Sequence, residues 1–340
     1  MTKSIHNQNK ERLGAFRAAL YDCDASRLRG QLNEIFAPDC LVQLANPLET
    51  LEGAAGLYEQ AYAPLLRALP DLERRDFIVM AGESQGADWV GCCGHYLGVF
   101  ERPWLDIPPT MHMLAMRYHE FFRFEDGRIV EMQALWDIPQ VMMQAGAWPL
   151  APSLAVEWVV PGPATADGII ESPYDGARSR ASLQWVTDML TAMGRSLEGI
   201  EAMQLERYWH PKFNWYGPAG IGSMRRISGF RNWHQIPFLK ALPDRGVYID
   251  NGIMFGDADY VAFTAWPGMH MTVSGDGWLG IAPSNKEITM RSLDFWRREK
   301  GLIRENWVLV DLLHVYEQLG VDVFERMREL TVARHGRMQD

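Results

Sequence analysis

The sequence predicts an α+β protein built as two tandem units of one design, each with N-terminal helices packed on a curved, mostly antiparallel sheet. Three observations carry this expectation. The stretch FWRREKGLIRENWVLVDLLHVYEQLG at 295–320 loosely rewrites FFRFEDGRIVEMQALWDIPQVMMQAG at 121–146, and in each copy a Gly turn precedes an alternating strand that ends on one aspartate, Asp311 or Asp137. Landmarks recur at a constant spacing: Pro38 and Pro211 lie 173 residues apart, as do Asp71 and Asp244 of two Leu-Pro-Asp turns, while Trp104 and Trp278 lie 174 apart. A period of domain size marks a duplication and not a solenoid. Within each copy helical periodicity comes first and strand alternation follows, the order that lays helices over one sheet face.

Taken in order, residues 7–22 and 25–35 read as helices, because Leu13, Phe16 and Leu20, then Leu28, Leu32 and Ile35, recur at helical spacing on either side of the Asp22–Asp24 break. A short strand or turn is expected from Pro38, where the period changes. A helix over 54–68 carries Pro64 inside it, which implies a kink or a restart. Four strands follow, RRDFIVMAGES, DWVGCCGHYLGVF, MLAMRYHEFFRF and RIVEMQALWD, bounded by Gly, Pro and Asp clusters. Residues 149–177 are rich in Pro and Gly and read as a semi-rigid linker between a first unit at 1–148 and a second at 178–340, with AVEWVV as a short edge strand inside it. The second unit restarts with paired helices in SLQWVTDMLTAM and LEGIEAMQLERYW, and YWHPKFNWYGP then stands where FAPDCLVQLANP stood.

Composition bounds the rest. At 340 residues with 47% hydrophobic and 22% charged side chains there is material for two cores. A formal charge of −10 without a clustered basic patch argues against nucleic acid as a partner. No run reaches the roughly eighteen apolar residues of a membrane span, and the N-terminus lacks an apolar signal core, so a soluble cytoplasmic protein is expected. The four cysteines, Cys23, Cys40, Cys92 and Cys93, have no zinc spacing, and neighbouring Cys92 and Cys93 point to opposite faces of a strand, so free thiols are expected.

The run HPKFNWYGPAGIG, the IPPT and IAPS turns, the FxRxxxG turn and the terminal W-x(3)-D-x(8)-G resemble the SnoaL-like polyketide cyclase family of the NTF2-like superfamily. The resemblance covers nearly all of the second unit and, more weakly, the first. It implies a cone-shaped α+β barrel, cofactor-independent chemistry inside the cone, and an aspartate near the end of the last strand as general acid/base. Asp137 and Asp311 match that aspartate. Glu120 and Asp294 fall where the type cyclase carries a histidine, a departure that separates this chain from that enzyme's proton relay. His95 and His270 fall near a histidine common on an earlier strand.

Strand alternation puts Trp307, Leu309 and Asp311 on one face, and Met290, Ser292, Asp294 and Trp296 on one face of the preceding strand. If both faces look into one cavity, burial and mutual repulsion raise the pKa of one carboxyl, which then abstracts and returns a proton beside a carbonyl. The expected roles are Asp311 as acid/base, Asp294 as its polar partner and His270 as substrate orienter, with Asp137, Glu120 and His95 as their counterparts in a relaxed or supporting first copy. Each has a bland alternative. Asp311 and Asp137 are equally suited to cap the helices that follow, Glu120 and Asp294 to pair with Arg117, Arg123, Arg291 or Arg297, and the histidines to sit satisfied in the core. Trp215, Tyr216, Trp233, His234 and Trp266, with Met290 and Trp307, are the candidate walls of an aromatic cavity for a flat or fatty substrate.

No HExxH helix or Walker loop is present, and no metal triad forms from Asp106, His112 and His119. Acid/base chemistry without cofactor or metal on a hydrophobic carbonyl or ester remains, by aldol-type cyclisation or isomerisation. Epoxide-type hydrolysis and a non-catalytic binding or scaffold role are the rivals. The two units are expected to pack sheet to sheet as an intrachain pseudo-dimer, with further homo-oligomers open.

Overall fold

The computed structural model describes residues 3–335. In the first unit Leu13 splits the expected helix 7–22 into α1 (Ile5–Arg12) and α2 (Gly14–Tyr21), and α3 (Ala25–Ile35) follows. Asp24 starts α3 by accepting a hydrogen bond from the Arg27 amide at 2.9 Å, as an N-cap does. β1 (Phe36–Leu44) begins directly after the helix, before Pro38, and β2 (Thr50–Glu52) pairs with it. The interruption expected around Pro64 takes the form of a widened turn. Between α4 (Gly53–Gly56) and α5 (Ala63–Ala68) the chain widens into a π-helical turn over Leu57–Tyr62 while keeping helical dihedrals. A wider turn ahead of a proline relieves the ring's clash with the preceding carbonyl.

The four expected strands appear as β3 (Glu73–Ser84), β4 (Ala87–Val99), β5 (Met113–Glu125) and β6 (Arg128–Trp136), followed by α6 (Ile138–Gln144). Strand order is β2-β1-β6-β5-β4-β3, with β1 parallel to β6 and the other pairs antiparallel. The linker holds no strand at AVEWVV. Val156 makes a single bridge to Ser223, Ile169 bridges Val79, and Trp158 and Val159 stay exposed.

The second unit repeats the plan with α7 (Gly176–Met193), α8 (Leu205–Tyr208), β7 (Trp209–Tyr216), β8 (Ser223–Arg225), α9 (Arg226–Phe230), a second π turn over Arg231–Gln235, and α10 (Ile236–Ala241). The expected second helix LEGIEAMQLERYW is instead two 3-10 turns and the short α8, because Gly199 at φ 109 and Gln204 at φ 49 break it. Then come β9 (Gly246–Val247), β10 (Gly252–Asp257), β11 (Tyr260–Thr272), β12 (Glu287–Glu299), β13 (Leu302–Val310), α11 (Leu312–Gln318) and α12 (Val323–His335). Their order is β10-β11-β12-β13-β7-β8, with β9 also on β11 and β13 parallel to β7. Neither sheet closes into a barrel, so the expected cones are open sheets, and helices complete the enclosure where a strand seam would.

The sheets pack face to face. Phe121 and Phe295, which are 174 positions apart in the chain, meet at 5.1 Å between ring centroids. At Gly82 an added Cβ would lie 2.8 Å from the Phe255 Cβ, so the close approach of β3 to β10 requires glycine there. Polar groups also cross the same face. The buried Arg117 guanidinium donates to the carbonyls of Tyr216 (3.0 Å), Gly217 (2.6 Å) and Val308 (3.0 Å). His119 Nδ1 lies 2.7 Å from the Leu293 carbonyl, and Lys10 meets Asp257 at 2.8 Å. All four cysteines are free thiols.

Candidate functional site

On β12 the alternation of a pleated strand turns Met290, Ser292, Asp294 and Trp296 to one side. Their register partners on β13 are Val310 opposite Ser292, Val308 opposite Asp294 and Asn306 opposite Trp296. Partners in register share a face, and these side chains form the floor of a cavity of about 550 Å³. Met189 and Met193 of α7 form one wall, and Trp209 and Trp215 of β7 another. The second π turn supplies His234 and Gln235, with Phe238 of α10 beside them, and the segment after α10 adds Arg245 and Tyr248. The lining is mostly Trp, Phe and Met, which suits a flat apolar ligand, and a volume of this size matches small-molecule sites.

Asp294 is the one acidic side chain on the described lining. It is 7% exposed and forms no salt bridge among the described residues. Burial pushes its pKa up to about 7, against the opposing effects of the Ser292 hydroxyl, the Asn306 amide and the Arg117 charge. The Ser292 hydroxyl donates to Oδ2 at 2.7 Å and so fixes the carboxyl while leaving Oδ1 unclaimed by it. His234 stacks on Trp215 at 4.4 Å between centroids, and burial together with the Arg245 charge lowers its pKa to about 3, so its imidazole is neutral at physiological pH. Several lining residues carry buried polar atoms without a protein partner: the indole nitrogens of Trp209, Trp278 and Trp296, His234 Nδ1, Gln235 Oε1 and Arg245 Nε. Such groups are costly to bury alone and are ready partners for a polar ligand atom.

Asp311 is not in this cavity. The expectation that it shares a face with Asp294 is corrected, because the cavity face of β13 is Asn306, Val308 and Val310, and Trp307, Leu309 and Asp311 turn toward the sister unit. Asp311 Oδ2 accepts from the Asn46 amide (3.0 Å) and Arg291 (3.0 Å), and Oδ1 accepts from the His314 amide (3.2 Å) as the cap of α11. Asp137 mirrors it, accepting from the Ala219 amide at 3.0 Å beside Arg117 at 3.5 Å. Both partner pairs keep the duplication spacing, 219 − 46 being 173 and 291 − 117 being 174. The two aspartates thus form a reciprocal clamp across the interface, each with its pKa raised to about 6, chiefly by burial.

Glu120 is the first-unit counterpart of Asp294 in position and differs from it in surroundings. It accepts from Arg74 (2.7 Å), Tyr96 (2.8 Å) and Trp136 (3.1 Å). Tyr118 and Trp136 stand 174 positions before Ser292 and Val310, and with Tyr62 and Tyr96 they pack ring on ring at 4.6–5.5 Å where the second unit has its cavity.

Other candidates also fall outside the cavity. Tyr216 donates to Glu305 and packs on Trp307, whose indole donates to the Pro161 carbonyl. Trp266 lies under the Arg291 guanidinium at 4.5 Å, and Trp233 is 55% exposed. His270 rests on Tyr248 at 4.9 Å, outside the lining. His95 is buried against Phe77 on the interface side, its pKa lowered to about 3 by burial and Arg117. Asp294, Met290, Trp215 and His234 are the candidates that the fold brings together. Arg245, Gln235, Trp278 and Asn306 carried no motif that would have found them, whereas Trp296 was legible from its alternation with Asp294.

Among the described residues no helix is long and apolar enough to cross a membrane, and no three His, Cys, Asp or Glu side chains converge as a metal site. The family profile of SnoaL-like polyketide cyclases matches residues 15–145 and again 187–319. Similar solved structures include a proposed SnoaL-like polyketide cyclase from Jannaschia sp. CCS1, 23% identical over 42% of this chain and 95% of that one, with a TM-score of 0.36. IdmH, a proposed polyketide cyclase from Streptomyces antibioticus, is 19% identical over 41% of this chain and 99% of that one, with a TM-score of 0.35. A protein with a ketosteroid isomerase-like fold from Catenulispora acidiphila, solved with trimethylamine, is 19% identical over 40% and 92%, with a TM-score of 0.31. No curated protein matches the chain.

Proposed function

Because the chain belongs to the SnoaL-like polyketide cyclase family, in two tandem copies, we propose that its second unit performs cofactor-independent acid/base catalysis on a hydrophobic carbonyl compound, with Asp294 as the acid/base. The observation that carries this reading is the single carboxyl on the wall of an apolar cavity, with a pKa of about 7. A group so poised is ionised often enough to act as a base and is acidic enough to return the proton.

The proposed step is balanced by the substrate itself. Oδ1 of Asp294 takes a proton from the carbon beside a carbonyl, leaving an enolate. The enolate carbon attacks a second carbonyl of the same molecule, forming one C–C bond, and the resulting alkoxide takes the proton back from Asp294. Without a second carbonyl in reach, reprotonation at another carbon gives isomerisation. The Ser292 hydroxyl holds Oδ2, and the unpartnered Trp296 indole on the same strand face is a donor suited to an oxyanion. The first unit, with Glu120 tied to Arg74, supports the fold and takes no part.

Solvent-deuterium exchange beside the carbonyl of flat hydrophobic ketones and keto esters tests this. The wild type is expected to accelerate exchange, Asp294→Asn to lose 10²- to 10⁴-fold on the scale of general acid/base contributions, and Asp311→Asn to stay within a few-fold. Unchanged exchange in Asp294→Asn overturns the assignment. Labelled solvent oxygen in a product would move the reading to hydrolysis.

A further inference from the structure

One charge on the cavity wall has no counterpart. The buried guanidiniums that build this protein are paired: Arg74 with Asp76 and Glu120, Arg117 with Asp137, Arg297 with Glu299 and Glu305. Arg245, which follows the second Leu-Pro-Asp turn and is partly buried, has no ion pair among the described residues. Its Nε is buried without a partner, and one terminal nitrogen makes a long 3.4 Å bond to the Met193 carbonyl at the end of α7. Its guanidinium lies over the Phe238 ring at 5.8 Å. The adjacent Asp244 is exposed and accepts from the Thr272 amide at 2.8 Å. Among the described residues no acidic group acts on Arg245, and burial lowers its pKa.

A guanidinium on an apolar wall without an ion partner keeps its charge uncompensated until a ligand supplies the opposite one, and its fork of donors matches a carboxylate in two parallel bonds. Beside it His234 is neutral, and its Nδ1 lacks a partner. Arg245 is the one cationic side chain on the described lining, as Asp294 is the one acidic side chain. Asp294 stands on the sheet floor and Arg245 on the segment after α10, so the two come from different elements of the cavity wall. Trp, Phe and Met occupy the wall around them.

We propose that Arg245 is a carboxylate-binding subsite, so that the cavity takes a hydrophobic carboxylic acid whose carboxylate docks on Arg245 while its reactive carbonyl reaches Asp294. The choice of a free keto acid over a neutral ester as substrate class rests on the acid/base reading above; the subsite itself does not. A carboxylate fits better than a phosphate, whose second charge has no second cationic group on this wall.

The test uses matched pairs of free acids and methyl esters: 4-(2-naphthyl)-4-oxobutanoate, 2-naphthylacetate and decanoate. Binding to the whole protein is followed by tryptophan fluorescence and calorimetry. The acid of at least one pair is expected to bind ten-fold or more tightly than its ester. Arg245→Met is expected to abolish that preference by weakening the acid and sparing the ester, Arg245→Lys to keep part of it, and Asp294→Asn to keep it whole. A circular-dichroism melt of Arg245→Met at or above the wild-type temperature shows that the fold survives loss of an unpaired charge. Equal binding of acid and ester in every pair, a preference that survives Arg245→Met, or no binding of any acid overturns the subsite. Exchange on the naphthyl oxobutanoate reads the reaction separately. Acid preference without exchange leaves the subsite standing and removes Asp294 as catalyst, whereas exchange without acid preference does the reverse.

Discussion

The same side-chain chemistry has three fates in this chain, and surroundings decide among them. Glu120 accepts from three buried donors, Asp137 and Asp311 clamp the interface, and Asp294 faces the cavity, held by the Ser292 hydroxyl beside the Asn306 amide. The high pKa of Asp294 has a consequence for stability. Its folded-state value of about 7 lies above the ordinary 3.8, so between those values the folded protein holds a proton that the unfolded chain has lost. Stability from this group is present below the unfolded pKa and is lost as pH rises through about 7. At about 1.4 kcal/mol per unit the effect amounts to at most ~4 kcal/mol. Asp294→Asn is therefore expected to gain stability over wild type at pH 8 and little at pH 4, measured by urea denaturation at both; an equal difference at the two values would contradict the buried, lone carboxyl. Exchange by the wild type is expected to rise with pH and level off above about 7. Asp294, Met290, Trp215 and His234 were readable as site residues because aromatic density and alternation mark them. Arg245 was not, because an isolated arginine shows its lack of a partner only once the fold has placed every acid elsewhere.

At the scale of an element, β13 shows where sequence periodicity stops being informative. Alternation correctly separates Trp307, Leu309 and Asp311 from Asn306, Val308 and Val310, but both sets are largely apolar because one faces the cavity and the other the sister sheet. A strand buried on both sides has no solvent face to fix its orientation. That is why Asp311 was expected beside Asp294 and stands behind it instead. The π turns were equally hidden. Each precedes a helix with proline at its second position, Pro64 or Pro237, and proline alone predicts a break and not a widened turn. In the second unit that turn carries His234 and Gln235 to the cavity. For Asp311 the structural role gives a definite expectation. Asp311→Ala removes the cap of α11 and the acceptor of the Asn46 amide, and leaves Arg291 with Glu49 alone. A loss of about 1–3 kcal/mol follows from an orphaned buried donor and a lost cap, read as a lower urea midpoint with unchanged slope. Deuterium exchange by the folded variant is expected to stay near wild type, and a collapse of exchange without loss of stability would return Asp311 to the chemistry.

At the scale of the molecule, the duplication was the most legible feature, since a constant spacing survives where individual residues have drifted. What the drift did was invisible in the pattern: Tyr118 and Trp136 fill one unit where Ser292 and Val310 leave the other open. The filled unit still has a task. Its sheet covers the Phe255 and Phe295 face, and its Arg117 satisfies the Tyr216, Gly217 and Val308 carbonyls beneath the active unit's sheet. Separated halves spanning 1–148 and 178–340 would each expose that face, and the first would carry a guanidinium with its three carbonyl acceptors gone. An apolar face of this kind rarely stays exposed in a monomer. Co-produced halves are therefore expected to elute as one complex with exchange activity, while the second half alone self-associates or aggregates. The intact chain, its sheet faces already covered by each other, is expected to run in light scattering at the mass of a single chain. Two stable monomeric halves, with full exchange in the second, would mean that the first unit contributes nothing to the cavity. In that case Arg117→Met in the intact chain should also be silent, whereas the interface described above requires it to destabilise the protein by roughly 3–5 kcal/mol, the usual consequence of breaking a buried ion pair.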